Sequence, residues 1–428
     1  MKSRARKIRR ITKPDRGGGG AISSPSIFIK TFGCRLNQYY TDLLLNAFYL
    51  SGYSQSYDPE TADYIVINSC VVTHRAERDT RKWINRIKRI NPGAKIIITG
   101  CFPFYKKIEN ENIWFQGSPG ELIEYLKLEN PQYLRFPLYH VRANVKVQEG
   151  CNFRCSYCIV PKTRGKSRSR PQGEILQEIE SLVNNGVSEI VITGTQTGEW
   201  GREWKKNLAD LLEEIIARFP RLRIRLSSIS PIHIDEGIIE LLEKGKILPH
   251  LHLPIQSGSP RILRIMRRPY TLDKYLGLVE TLFQKVPDIA VGTDVIVGFP
   301  GESDEDFQTA METLKKIPYA YMHVFEFSRR PGTEAYQMEP VPTHIVRMRK
   351  DILLEIAREK RRRYIEKFLR RQIDGVVEKR SDGWYHVTTG NYLKLIVTDK
   401  YKLNCGGVYQ FLLKKMYPDF KIEAIPSH

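Results

Sequence analysis

The stretch Ala143-Asn144-Val145-Lys146-Val147-Gln148-Glu149-Gly150-Cys151-Asn152-Phe153-Arg154-Cys155-Ser156-Tyr157-Cys158 decides the fold. Residues 143–148 read as a strand, and the loop behind it is C-x3-C-x2-C. Three thiolates on a tight loop can hold three irons of a cubane cluster, leaving the fourth iron open to a small molecule. Soft thiolates suit iron–sulfur or zinc. Structural zinc asks for four ligands in paired spacings, and no second pair lies nearby, so the spacing points to a cluster.

Downstream, strand and helix patterns alternate about six times. Strands are expected at 143–148, 189–193, 223–227, 250–254, 291–297 and 320–327. Helices are expected at 172–185, 207–218, 235–244, 260–266, 272–285 and 304–316. Sequential βα units suggest a barrel, and six of them a partial (βα)6 barrel, TIM-like but open on one side for a large substrate. The cysteine loop follows its first strand, on the C-terminal face where barrel active sites form.

Upstream, residues 26–125 repeat one plan: an apolar run, a cysteine, then a helical segment. Ser26 to Gly33 leads to Cys34, Asp63 to Ser69 to Cys70, and Ala94 to Gly100 to Cys101. Short β-branched runs between helices suggest a doubly wound parallel sheet. The C-terminal strand ends of such a sheet share one ligand-binding edge. Three cysteines 36 and 31 residues apart can therefore converge. Buried structural thiols are the bland alternative.

At the other end, residues 343–370 form a charged helical segment that reads as a linker. Residues 371–425 read as short strands broken by Ser381-Asp382-Gly383, Thr389-Gly390-Asn391 and Asn404-Cys405-Gly406-Gly407. That is the pattern of a small β-barrel of the kind that holds nucleic acid. The chain is thus α/β, with an arm at 1–25, a first domain at 26–130, a barrel with its linker helix at 140–370, and a small barrel at 371–428.

Charge and composition agree. With 428 residues, two or three domains are expected, and 41% apolar content can fill their cores. The net charge of +20 favours a polyanion, most often nucleic acid. Residues 1–20 and 361–428 each carry +7 of it. No apolar run is long enough to span a membrane, and Gly17 to Gly20 follow the basic arm where a signal peptide would be apolar. A cytoplasmic protein is expected, with no membrane partner. Seven cysteines, an odd number, argue for ligation over a disulfide framework.

The C-x3-C-x2-C loop with Tyr157 before its last cysteine resembles that of the radical S-adenosylmethionine (SAM) enzymes, and more narrowly the chain resembles the methylthiotransferases. The likeness is carried by Gly33-Cys34-Arg35-Leu36-Asn37-Gln38, Asn68-Ser69-Cys70 and Thr99-Gly100-Cys101. It continues in Val147 to Cys151, His252-Leu253-Pro254-Ile255-Gln256-Ser257-Gly258 and Asp294 to Glu302. The resemblance covers nearly all of the chain beyond residue 25, and implies that 371–425 is the family's RNA-binding TRAM barrel.

It further implies two [4Fe–4S] clusters. One, on Cys151, Cys155 and Cys158, would bind SAM and cleave it to a 5′-deoxyadenosyl radical. The other, on Cys34, Cys70 and Cys101, would carry or activate sulfur. A second SAM per turnover would supply the methyl group. An aromatic C–H has no acidic proton to remove, so radical chemistry suits it. No catalytic side chain beyond the cluster ligands is singled out.

The resemblance points to SAM contacts at Tyr157, Thr193-Gly194-Thr195, Gln256, Ser257, Gly298 and Phe299. Plain βα turns are the competing reading. Arg164, Lys166, Arg168 and Arg170, on an extended segment, would reach phosphate. Trp384 and Tyr385 would stack bases or fill the small barrel. His233, His250 and Cys405 read as structural. Ser230 stands where the family string is acidic, and Phe102-Pro103-Phe104 replaces a more usual Tyr-Ala-Gln.

The family splits by substrate, and Gly33-Cys34-Arg35-Leu36-Asn37 is similar to the branch acting on carbon 2 of N6-threonylcarbamoyladenosine 37 of tRNA. Alternatives are N6-isopentenyladenosine 37 and an aspartate of a ribosomal protein. Outside enzymology, the alternative is an iron–sulfur RNA-binding protein. Expected partners are a tRNA anticodon stem-loop, an electron donor and a sulfur donor.

Overall fold

The computed structural model describes residues 24–105, 113–131, 133–134 and 141–427; most of the expected arm at 1–25 lies outside them. The first sheet comprises β1 (Ser26–Thr31), β2 (Ser54–Gln55), β3 (Tyr64–Ser69), β4 (Lys95–Gly100) and β5 (Ile113–Gln116), in the order β2-β1-β3-β4-β5. All its pairings are parallel. Helices cover both faces, so the central strands are buried on both sides and read as continuous Ile/Val runs. Ile65 and Ile67 pack against Ile84 and Ile87, while Val66 and Ile97 pack against Leu44 and Phe48. Thr73 caps the helix His74–Ile90 by accepting from the Ala76 N–H. β2 and β5 lie outside the three-fold plan of run, cysteine and helix: β2 is two residues long, too short to carry a pattern.

The second unit holds β6 (Arg142–Glu149), β7 (Arg168–Ser169), β8 (Glu189–Gly194), β9 (Arg223–Leu226), β10 (His250–His252), β11 (Ala290–Val297) and β12 (Tyr321–Glu326). β7 is a short antiparallel flank on β6. The others run parallel as β6-β8-β9 and β10-β11-β12, joined by one bridge between Ser228 and His252. Among the described residues no ladder joins β12 back to β6, so the six-strand barrel is open there.

Alternation along the strands separates two environments. Ala143, Val145 and Val147 pack outward with Ile175, Ile179 and Leu182 of the helix Gln172–Asn184. Asn144, Lys146 and Gln148 point the other way, into the lumen. There Asn144 and Lys146 meet Gln38 and Tyr40 of the helix Arg35–Leu50.

The helix Thr343–Glu366 packs along β12 and leads into a closed barrel of β13 (Gln372–Ser381), β14 (Trp384–Thr389), β15 (Lys394–Thr398), β16 (Val408–Met416) and β17 (Ile422–Pro426), ordered β13-β14-β15-β17-β16. Ile365 and Phe368 fill one end of its core beside Val387 and Phe411. Its loop 389–392 seals the floor of the large barrel. Arg225, wholly buried, donates to the Gly390 and Thr389 carbonyls at 2.9 Å each and to Glu189 at 3.0 Å. Tyr385 is core and Trp384 is half-buried. No helix of the described residues is long and apolar enough to cross a membrane.

Candidate functional site

At the end of β6 the chain must turn sharply. Gly150 has φ of +79°, and a Cβ there would stand 2.0 Å from the Lys166 carbonyl oxygen, so glycine is required. The Gln148 amide donates to the Gly150 carbonyl and to Ser167 Oγ, both at 2.8 Å. The Gly150 N–H donates to Thr195 Oγ1 at 3.2 Å. The loop is thereby pinned to the end of β8, and Cys151, Cys155 and Cys158 come together, each thiol within electrostatic reach of the others. Burial pushes the Cys151 thiol up to about 11 and the Cys158 thiol up to about 12. Arg268 compensates: its Nη1 donates at 3.2 Å to both Cys155 Sγ and Tyr157 Oη.

The second triad sits on three strand ends. β1, β3 and β4 are neighbours in register, Thr31 against Asn68 and Asn68 against Thr99. The cysteines that follow them meet. A Cβ on Gly33 would fall 2.9 Å from Cys70 Sγ, and the Cys70 and Cys101 thiols each feel Cys34. Burial pushes Cys70 up to about 12 and Cys101 in the same direction. Cys34 is the N-cap of the helix Arg35–Leu50, the positive end of a helix dipole. Asn37 ties the triad's loops, donating to the Phe32 and Ser69 carbonyls at 2.8 and 2.9 Å.

One side chain ties the strand-end triad to the base of the cysteine loop. Arg164 Nε donates to Cys101 Sγ at 3.3 Å, Nη1 to Glu149 Oε1 at 2.9 Å, and Nη2 to Asn37 Oδ1 at 2.5 Å. Glu149, next to the Gly150 turn, also accepts from Tyr40 Oη at 2.5 Å. Burial pushes its carboxyl up, but Lys146, Tyr40 and Arg164 together hold it below the usual range.

This corrects the expectation of an extended, phosphate-reaching run. Arg164 ends a short helix, Val160–Arg164, and faces inward. Arg170 is buried against Glu178 at 2.9 Å. Only Lys166 and Arg168 are exposed. The Gly165 turn at φ +73° breaks the alternation between Arg164 and Lys166, and the ion pair with buried Glu178 draws Arg170 inward.

Thr195, Gln256 and Gly298 reach the C-terminal rim near the first triad. Gln256 holds a left-handed φ of +66°, a conformation a non-glycine residue adopts at a cost and often at a functional site. It is fixed by bonds from its N–H to the Asp294 carbonyl and from the Ile296 N–H to its own. Gly298 has φ of +70°, and a Cβ would stand 2.4 Å from Val346 Cγ2. Thr193 is buried and Gly194 lies 2.9 Å, by its absent Cβ, from the Gln148 carbonyl. Ser257 is buried, accepting from the Ser259 N–H. Phe299 packs with Ile262, Met266 and Ala335, its ring edge-on to Tyr157.

The ends of β8 and β9 present buried polar atoms without hydrogen-bond partners: Thr197 Oγ1, Glu199 Oε2, Ser230 Oγ and His233 Nε2. The Glu199 carboxylate acts on the Cys151 thiol. Such atoms suit a polar ligand beside the loop, and the ammonium and carboxylate of a methionyl group are partners of that kind. His233 stacks on Phe153 at 5.9 Å. Cys405 packs at the small barrel's core.

Sequence reading passed over Arg268, Glu199 and the helix His74–Ile90. On that helix Arg75, Arg78, Lys82, Arg86 and Arg89 are exposed at spacings of three and four, which puts them on one face. Their spacing was the available signal. The face leads to a cavity of about 590 Å³ lined by His74, Arg78, Arg81, Arg329 and Tyr336 among others. His74 and Arg329 also line a smaller cavity that reaches Gly298.

The Radical SAM superfamily profile matches residues 145–314, and that of the uncharacterized protein family UPF0004 matches residues 26–114. The chain is 36% identical to the threonylcarbamoyladenosine tRNA methylthiotransferase MtaB of Aquifex aeolicus, over 86% of this chain and 96% of that protein. It is 35% identical to the Thermotoga maritima protein of the same name, over 84% and 87%. It is also 34% identical to the tRNA-2-methylthio-N(6)-dimethylallyladenosine synthase of Chloroflexus aurantiacus, over 86% and 84%. Among solved structures, the radical SAM methyltransferase TsrM of Kitasatospora setae shares the fold, with a TM-score of 0.50, 15% identity, and coverage of 73% of this chain and 77% of that one.

Proposed function

This chain belongs to the radical SAM tRNA methylthiotransferases, and on that premise we propose that its substrate is N6-threonylcarbamoyladenosine 37 of tRNA, methylthiolated at carbon 2. The family's cofactors are [4Fe–4S] clusters and SAM. In our reading Cys151, Cys155 and Cys158 hold one cluster and Cys34, Cys70 and Cys101 the other. Loaded in this way, the clusters and SAM supply a radical able to take hydrogen from an aromatic carbon, together with a sulfur and a methyl group.

The observation that carries the reading is the pair of converged thiol triads, each with an arginine donating to one sulfur. Arg268 and Arg164 would offset the negative charge of a thiolate-ligated cluster held in a buried site. The buried thiols release protons on ligation. Gln256 and Gly298, with Tyr157, Thr193, Gly194, Thr195, Ser257 and Phe299, shape the proposed SAM site. Thr195 and Gln148 keep the cysteine loop in place.

The threonylcarbamoyl branch is favoured by the Gly33-Cys34-Arg35-Leu36-Asn37 string and by relatives of that name. The dimethylallyl synthases are similar enough to keep N6-isopentenyladenosine as the second reading. The anticodon stem-loop would meet the exposed face of the helix His74–Ile90 and the C-terminal barrel, in the place of the family's TRAM module. An electron donor and a sulfur donor complete the partners.

The test is nucleoside mass spectrometry of tRNA from cells lacking the gene and from complemented cells. Loss and return of 2-methylthio-N6-threonylcarbamoyladenosine is expected. Loss of the isopentenyl counterpart instead would refute the branch and keep the chemistry.

A further inference from the structure

The lumen of the open barrel holds a polar group outside both triads. Asp294 on β11 accepts through one oxygen, Oδ1, from His252 Nε2 at 3.0 Å and from His323 Nδ1 at 3.1 Å. Tyr321 Oη sits between His252 Nδ1 at 3.2 Å and His250 Nε2 at 2.9 Å. The His250 ring stacks on Tyr392 of the floor loop at 4.2 Å, and Arg35 Nη2 donates to Tyr392 Oη at 3.2 Å.

Two facts link this group to the proposed cluster and SAM sites. Arg35 follows Cys34 directly in the chain, so one end of the group is carried by the residue next to the strand-end triad. The Asp294 carbonyl holds the Gln256 N–H at 2.9 Å, so the other end lies one peptide below the left-handed turn at the barrel rim. The group thus runs as a wall through the lumen from the helix behind Cys34 to the barrel rim at Gln256.

The wall is built of groups whose outward atoms are unengaged. His323 Nε2 and Asp294 Oδ2 have no hydrogen bond among the described residues, and neither is a buried orphan. The His323 side chain is 56% exposed while Tyr321, two residues earlier on the same face, is packed. On the lumen face of β12 polarity therefore opens outward, toward an incoming group.

We infer that His323 and Asp294 form the binding site for the acyl-amino-acid end of the substrate's N6 substituent, and so select it over an apolar one. This rests on the threonylcarbamoyl reading. With its Nδ1–H donating to Asp294, His323 offers a second donor only as the imidazolium; in that form its Nε2–H donates to the carboxylate, the substrate hydroxyl donates to Asp294 Oδ2, and Arg35 adds positive charge. His252 and Tyr321 hold the Asp294 and His323 rotamers. A prenyl group has no polar atom to offer. Seating it would desolvate Asp294 and His323 with nothing in exchange, the arrangement by which a hydrogen-bonding site rejects an apolar analogue most strongly.

The test compares kcat/KM of the cluster-loaded enzyme on anticodon stem-loops carrying threonylcarbamoyladenosine, its carboxamide form, glycinylcarbamoyladenosine and isopentenyladenosine. Wild type should lose on the order of 10-fold to 100-fold from acid to carboxamide. His323→Ala should lose as much on the acid and little further on the carboxamide. Asp294→Asn should act on the threonyl-to-glycyl ratio. His323→Phe should narrow the gap between threonylcarbamoyl and isopentenyl substrates.

These ratios are internal to each variant, so misfolding alone does not produce them. Equal losses on all four substrates would overturn the inference and leave the substrate reading standing. So would one equivalent of metal, beyond cluster iron, that leaves with His323→Ala, because the three ligand atoms lie within 4.8 Å of one another. A wild type acting only on the isopentenyl stem-loop would overturn the substrate reading itself.

Discussion

The two cysteine triads are assembled by opposite means. Cys151, Cys155 and Cys158 share one eight-residue loop, so their convergence is a matter of local turns: Gly150, the Cys155–Cys158 backbone bond and the Gln148 brace. Cys34, Cys70 and Cys101 converge only because three parallel strands lie in register and end along one edge. The first triad survives as long as its loop does. The second is a property of a folded sheet. One chain thus places two similar thiol sets under local and under tertiary control, and the two should fail differently.

The sharpest break comes from the proposed ligands. Cys155→Ser should abolish reductive SAM cleavage, read as 5′-deoxyadenosine formation. Cys70→Ser should keep that cleavage and lose methylthio product, with roughly half the iron gone. If both variants lost SAM cleavage equally, the division of labour would be wrong.

The glycines separate the means. Gly150→Ala drives a Cβ into the Lys166 carbonyl at 2.0 Å, where rigid backbone leaves no room, and a positive φ costs about 1–3 kcal/mol besides. Iron at the first site should fall while the sheet stays folded by circular dichroism. Gly33→Ala, whose Cβ would stand 2.7 Å from Cys70 Cβ, should spare the first cluster and deplete the second.

Arg164 tests the tie between the strand-end triad and the base of the cysteine loop. Arg164→Met leaves Glu149 with fewer partners in a mostly buried place and should cost about 2–3 kcal/mol in urea unfolding at pH 7. The sign follows from the depressed Glu149 carboxyl. Its contribution is complete above the unfolded value near pH 4.3 and fades as pH falls below it. The gap between wild type and Arg164→Met should therefore shrink in acid. A gap that stayed constant down to pH 3 would mean the carboxylate is not what Arg164 stabilises.

The smallest effect concerns RNA. Reversing Arg78, Lys82 and Arg89 to Glu, all exposed, should raise KM for the stem-loop several-fold. It should also flatten the salt dependence by about 0.7 to 0.9 per phosphate contact removed. Melting temperature and SAM cleavage without RNA should not move. An unchanged salt slope would remove this face from the interface.

Much of the fold was legible because its signals are periodic or punctuated: Ile/Val runs, cysteines at strand ends, Gly and Asn at turns. Within the site, the local triad was readable from spacing. The strand-end triad was readable only through the rule that parallel strands share an edge. The basic run after the loop misled, since charge on a sequence does not tell whether a side chain turns out to phosphate or in to Glu149 and Cys101. Arg268 gave no signal at all: it lies 113 residues from the thiol it touches.

The sequence by itself determined the elements, their alternation and which cysteines could ligate, because those follow from side-chain periodicity and thiol chemistry. Only the tertiary structure decided how the sites are tuned. Closing the barrel floor with Tyr392, stacking His250 on it and reaching it with Arg35 bring together residues from three units of the chain. Such contacts depend on how surfaces pack, and no local pattern encodes which distant side chain will fill a given gap.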